Sequence, residues 1–363
     1  MMQKVPLLHF LFIFAHKLQK TMKRLISISI AMLAAAAAAY AQAPQDSTVN
    51  IIARWQVGDK YSYEYSSKEC KTANGDTTEF AYSNAILIYE ILEETETSYK
   101  ASVTYKDEFS SDQINNMLND LLAERYGDPK IIFTTDQYGT LQSIDNVQEL
   151  SDQIVSIIDE MVELMIKNDT EGVLDESQSD FLKDYLKQMF GNHDTVIKIF
   201  AEDIARVLYF HGCALKLDQE YTGQIQVPSI YPGVDQPLPA NVTIWADSEF
   251  TDEYCIVCRS YTTLSKDGFV EVVVNAIKNN LNTQVTAGLI SEEDVQAALP
   301  EIEKTVQSLE CNMDEYSTAE IHAATGWPLN IWYDKDVVIN VEDLNQTHSK
   351  SWTLKMIIPS DEE

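Results

Sequence analysis

The sequence predicts an α+β fold, a strongly curved antiparallel sheet packed on amphipathic helices. Period-two alternation recurs at both ends of the chain, helical spacing fills the stretches between, and the blocks run strands, helices, strands, helices, strands. The alternation is clearest in residues 311–358. There Trp352, Leu354, Met356 and Ile358 share one face, and Thr353 and Lys355 share the other. Val337, Ile339 and Val341 alternate in the same way with Val338, Asn340 and Glu342. Three strands are expected: 313–323, a second from the Thr325-Gly326-Trp327-Pro328 turn to 342, and 352–358.

Residues 1–41 read as a leader. Met22-Lys23-Arg24 opens a basic segment, residues 25–39 are apolar and Ala-rich, and Ala39-Tyr40-Ala41 is a small-x-small cleavage signal. Translation is expected to start at Met22 and the mature chain at Gln42, in the periplasm or outside the cell. The apolar run is too short for a membrane span, so no integral span is expected once the leader is removed. Residues 42–363 are expected to form one large α+β domain with helical insertions at about 146–210 and 266–310.

The net charge is −31. It grows more negative without the leader, whose only charged residues are Lys4, Lys17, Lys20, Lys23 and Arg24. That excludes nucleic acid as a direct partner and disfavours an anionic membrane surface.

Residues 51–106 read as three strands. Tyr61, Tyr63 and Tyr65 share a face, 72–76 is an Asn-Gly turn, and 81–92 is so uniformly apolar that cover on both faces is expected. Tyr99, Ala101, Val103 and Tyr105 alternate with polar neighbours. A helix follows over 111–126, with Ile114, Met117, Leu118, Leu121 and Leu122 on its stripe and Gly127 as its stop. Residues 131–144 form a hairpin about Asp136-Gln137-Tyr138-Gly139. Asp145 or Asn146 caps the next helix, with Gln148 or Glu149 near the capping-box position. A polar linker over 168–177 and two further helices, about 178–190 and 194–209, come next. The sheet is the expected partner of all these apolar faces.

A strand is predicted at 220–227. Pro228, Pro232, Pro237 and Pro239 then exclude a central strand and predict an extended rim loop. A hairpin spans 242–250 and 254–263. Residues 266–282 read as a helix despite the β-branched run at 270–274, and 291–309 as another interrupted by Pro300.

Five cysteines, Cys70, Cys213, Cys255, Cys258 and Cys311, leave at least one unpaired within a monomer. Cys255 and Cys258 have CxxC spacing, but strand phase points them to opposite faces. Buried free thiols or one long-range disulfide are expected rather than a redox pair. No His-Glu-x-x-His, Gly-x-Ser-x-Gly, Gly-x-Gly-x-x-Gly or Walker loop occurs. No catalytic residue, metal or cofactor is therefore assigned. Among the aromatics, Trp245, Trp332 and Tyr254 are the candidate ligand-binding residues.

Two stretches carry a resemblance. Residues 133–146, Phe-Thr-Thr-Asp-Gln-Tyr-Gly-Thr-Leu into Ile144-Asp145-Asn146, resemble a strand–turn–strand–helix segment of uncharacterised secreted β-rich proteins of Bacteroidetes-type bacteria. Residues 316–329, ending Ala-Thr-Gly-Trp-Pro-Leu, are similar to the C-terminal hairpin of that group. Its layout resembles the lipoprotein-carrier half-barrel, which implies an apolar cavity between sheet and helices. The leading expectation is an exported, non-catalytic protein that binds an apolar or amphipathic, lipid-like ligand there. The alternatives are a cell-envelope interaction protein using its acidic surface and proline-rich rim, and a carboxylate-dependent hydrolase.

Overall fold

The computed structural model describes residues 48–168, 176–227, 237–286, 291–308, 310–341 and 344–358. The expected leader and residues 228–236 of the proline-rich rim lie outside the described residues. In chain order the elements are β1 (Thr48–Asn50), β2 (Lys60–Ala73), β3 (Asp76–Glu94), β4 (Ser98–Ser110), α1 (Gln113–Tyr126), β5 (Lys130–Asp136), β6 (Leu141–Ile144), α2 (Val147–Asn168), α3 (Glu176–Phe190) and α4 (His193–Val207). They continue with β7 (Ala214–Lys216), β8 (Tyr221–Val227), β9 (Leu238–Ala246), β10 (Cys255–Leu264), α5 (Lys266–Thr286), α6 (Glu292–Ser308), β11 (Glu310–His322), β12 (Pro328–Val341) and β13 (Leu344–Met356).

β1 pairs with β7 as a short separate ribbon. The other strands form one open antiparallel sheet in the order β6-β5-β4-β3-β2-β13-β12-β11-β10-β9-β8. Pairing of β2 with β13 joins the two strand-rich ends of the chain.

Local chemistry sets most boundaries. Asp112 accepts from Ile114 N at 2.8 Å to cap α1, and Gly127 ends it at φ +81°. Asn192 caps α4 through Asp194 N at 2.9 Å. Asn74 and Gly75, both at positive φ, turn β2 into β3. The start of α2 works differently. Asn146 reaches mainly to β5, accepting from Ile132 N at 2.9 Å and donating to Lys130 O at 2.9 Å, with a longer contact of 3.4 Å to Glu149 in the first turn. It splices helix to sheet.

Several sequence expectations are corrected. β3 is not covered on both faces: Ala85, Leu87, Tyr89 and Ile91 are buried, while Ile86, Ile88 and Glu90 are half-buried. The residues before β2, 51–59, form no strand. β13 begins at Leu344, well before 352, because its polar first half finds partners on both sides. Pro239 belongs to β9, an interior strand. It is tolerated because pairing of β9 with β10 ends at Ala240, so the missing N–H interrupts no bond there. Finally, α1, α2 and α3 bury most of their apolar residues against one another, through Leu121, Leu122, Ile157, Ile158, Met161, Val162, Leu182, Leu186 and Phe190. α4 and the first turn of α2 face the sheet, with Val147, Leu150, Val196, Ile204 and Val207 in its core.

The sheet curls, and the clasp that holds its curvature is explicit. β5 and β12 lie five strand positions apart, which would be about 24 Å in a flat sheet. Yet two consecutive residues bridge the hairpins at those positions. Ala53 N donates to Tyr138 O at 2.9 Å, and Arg54 N donates to Thr325 O at 3.1 Å. The two hairpins are those singled out by resemblance. His211 ties the same place together: its Nε2 lies 2.8 Å from Gly326 O. Its ring lies so close to Gly139 that an added Cβ there would meet Cδ2 at 2.6 Å. Trp55 stacks on Trp327 with centroids 4.6 Å apart, and Tyr61, Tyr89 and Tyr99 surround the pair. This aromatic plug fills one end of the curled sheet.

Candidate functional site

Between the plug and the opposite end, the inner face of the sheet changes character. Strand register aligns Glu69 of β2 with Lys350 of β13, Lys335 of β12, Glu315 of β11 and Thr262 of β10. The next row aligns Lys71, His348, Val337 and Met313. The row on the other side holds Ser67, Trp352, Tyr333, Ser317 and Ser260. A polar belt thus crosses the inner face between two apolar fields. One field holds Tyr63, Leu87, Tyr89, Trp327, Ile331 and Leu354. The other holds Leu238, Met313, Val337 and Ile339, covered by Phe269 and Val273 of α5 and Val306 of α6.

Helix α4 supplies more charge. While Ile204 and Val207 enter the core, Glu202, Asp203 and Arg206 meet the belt. Arg206 pairs with Glu202 and, at 3.3 Å, with Asp203, and its guanidinium lies 5.5 Å from the Tyr333 ring centroid. Burial opposes its charge, but Glu202 and Asp203 outweigh that and raise its pKa. Burial pushes the Asp203 carboxyl up against the pull of Arg206. The Asp203 side chain is 40% accessible, and its charge acts on Lys350, Tyr65 and Tyr105 of the inner face. Solvent therefore reaches a gap where α4 meets the sheet.

Around this gap Glu69 accepts from His348 Nε2 at 2.8 Å and pairs with Lys71 at 3.2 Å. The His348 bond, aided by Lys71 and opposed by burial, holds the Glu69 carboxyl well below the usual carboxylate range. Lys335 pairs with Glu315 at 3.3 Å. Tyr65 is pushed up to about 12 by burial and then by Asp203. The Tyr105 hydroxyl helps hold the Asp203 carboxyl down but makes no hydrogen bond of ordinary geometry. Lys350 differs from the other cations of the belt. It is half-buried, burial and then Arg206 lower its pKa, and it makes no hydrogen bond or ion pair among the described residues.

The residues singled out from sequence lie elsewhere. Trp245 pairs with Arg259, and Trp332 with Thr318, on the outer face of the sheet. Trp332 is 40% exposed. Arg259 between them is held by Asp247 at 2.9 Å. Tyr254 sits at φ +61° in the β9–β10 turn and stacks on Phe250 at 5.1 Å. None of the three faces the gap. The five cysteines are free thiols, with Cys255 and Cys258 buried. The belt itself was missed, although its signal is visible. Glu69 keeps the phase of Tyr61, Tyr63 and Tyr65, and Lys350 keeps the phase of Trp352 and Leu354. Charges in an inward phase mark a polar interior.

Neither of two surface depressions is the apolar cavity implied by resemblance. One is lined by Tyr126, Asp145, Gln148, Asp152 and Ser156, the other by Gln113, Asn116, Asp120 and Leu164. Both are open hollows beside α1 or α2. Among the described residues no group of three or more His, Cys, Asp or Glu is placed to hold a metal ion. No described helix is long and apolar enough to cross a membrane.

The class of protein so defined is an open, curled antiparallel sheet with helices on its inner face and a charged belt between them. No family model matches the chain, and no curated protein matches it. Among solved structures it is similar to lipovitellin, described for its lipid–protein interactions, at 9% identity and a TM-score of 0.38. That match covers 85% of this chain and 26% of lipovitellin. It is also similar to a putative exported protein with a YmcC-like fold from Bacteroides fragilis, at 9% identity over 85% of this chain and 99% of that one, TM-score 0.19. DynF of Micromonospora chersina matches at 5% identity over 89% and 95%, TM-score 0.18. These scores are too low to transfer a fold, a ligand or a role.

Proposed function

We propose that the protein is an exported, non-catalytic binder of an amphipathic ligand, received between helix α4 and the inner face of the sheet. One observation carries this reading: solvent reaches the polar belt at Asp203, and buried apolar clusters flank the belt on both sides. A molecule with a polar group and an apolar body matches that arrangement better than a purely apolar one. The fully buried Trp55, Trp327, Tyr63 and Tyr89 occupy the plug end of the sheet. Export is supported by the leader-like residues 1–41. The test is native mass spectrometry of the purified chain with hexadecanol and palmitate, together with displacement of a fluorescent amphiphile. Saturable binding of one molecule per chain is expected. A chain that takes up neither probe, and carries nothing from its host, overturns the reading.

A second reading is favoured by the outer face. Phe80, Tyr82 and Phe109 form an exposed aromatic row, with centroids 6.2 and 5.9 Å apart, and Trp245, Trp332 and Tyr254 lie on that side or at its rim. These residues would serve contact with another macromolecule of the cell envelope. Photo-crosslinkers placed at Phe80 and Trp332 in cells test it. Absence of any adduct at both positions removes it.

A further inference from the structure

We propose that the polar belt is a head-group subsite, in which Lys350, with Arg206 beside it, receives a single anionic group, a carboxylate or a phosphate, of the amphipathic ligand. This rests on the binding reading above and names the chemistry of its polar end.

The argument begins with what is already neutralised. Arg206 is engaged by Glu202 and Asp203. Lys71 is engaged by Glu69 and Glu79. Lys335 is engaged by Glu315, and His348 by Glu69. Lys350 alone of these makes no hydrogen bond or ion pair among the described residues, although its row places it between Glu69 and Lys335 on the inner face. The carboxylates nearest it, Glu69, Glu202 and Asp203, act on it only at a distance because their oxygens are turned to other cations.

A half-buried ammonium without a partner is costly, and burial lowers its pKa accordingly. An anion in the gap recovers that cost. The same three carboxylates limit how much negative charge the gap tolerates, which favours one charge over two. Tyr65, Tyr333 and Trp352 wall the belt on the plug side, and a ligand's apolar body would meet those rings.

The experiment compares three probes on the purified chain by calorimetry: palmitate, hexadecyl phosphate and hexadecanol. Palmitate or hexadecyl phosphate is expected to bind at least about tenfold more tightly than the alcohol, the worth of one charge-assisted hydrogen bond. The better anion identifies the head group. Lys350→Met should abolish that preference and leave hexadecanol unchanged, and Lys350→Arg should restore it. Equal binding of all three probes, unaltered by Lys350→Met, overturns the subsite while the binding reading stands. Binding of none overturns that reading itself. Should Lys350→Met lose its cooperative melt, acetylation footprinting of the native chain decides instead. Palmitate protects Lys350 if the subsite is right and leaves it equally reactive if it is wrong.

Discussion

His211 is 5% exposed and packed between Trp55, Gly139 and the Gly326 carbonyl. Its Nε2 must donate to that carbonyl, so the neutral ring carries its proton there. Burial, opposed in part by backbone bonds, lowers its pKa from 6.5 to about 4. The unfolded chain therefore takes up the proton first as pH falls. The stability linked to His211 is complete above pH 6.5 and is lost as pH falls toward 4, by about 3 kcal/mol in all. Urea midpoints measured across that interval should drop, and His211→Gln, weaker at neutral pH, should flatten the drop. Gly326 is as restrictive. It sits at φ +76°, and an added Cβ would lie 2.2 Å from Ile52 O, a backbone atom. Gly326→Ala should cost about 3 kcal/mol or more, whereas Gly58→Ala, at φ +92° with open space around it, should cost only about 1–2 kcal/mol. Chemical denaturation of both variants checks the contrast.

Among the elements, α2 shows how a helix end can serve a sheet. Asn146→Ala removes two bonds to β5 and should destabilise by about 1–3 kcal/mol, with Asn146→Ser failing to recover it because Ser keeps capping ability but not reach. Amide exchange at Ile132 is the direct reading. The elements were largely legible. Strand alternation, the Asn74-Gly75 turn, the helix stop at Gly127 and the helix over the valine run of 270–274 all form as read, the last because tertiary cover from Val306 and the sheet outweighs β-branched propensity. The sequence did not say what each apolar stripe would cover. A stripe records that a face is buried, not against what, so α1–α3 were placed on the sheet when they bury one another. Pro239 misled because a proline forbids one hydrogen bond, and β9 has no such bond at that residue.

For the whole molecule, charge and curvature matter most. With a net charge of −31, compaction works against self-repulsion. The thermal midpoint should therefore rise between low and moderate salt, where screening shortens to about 8–10 Å. Scanning calorimetry at two sodium chloride concentrations checks it; a midpoint that falls with salt would mean that the ion pairs of the belt dominate instead. The class of fold was readable because periodicity is local. The site was not, because it exists only where residues from β2, β11–β13 and α4 meet, and inward-phased charges such as Glu69 and Lys350 were passed over in favour of aromatics that face outward. The clasp at Ala53 and Arg54 has a temporal side. Arg54 also donates to the Ala323 carbonyl, 269 positions further along the chain. In a polypeptide emerging from its early end, Ala53 can meet Tyr138 soon, but Arg54 has nothing to grip until nearly all of the chain is available. Closure of the curled sheet is thus a late and slow event, and β2 waits with one edge bare for β13. Premature release, rather than mature instability, is the moment at which this chain is most prone to self-association.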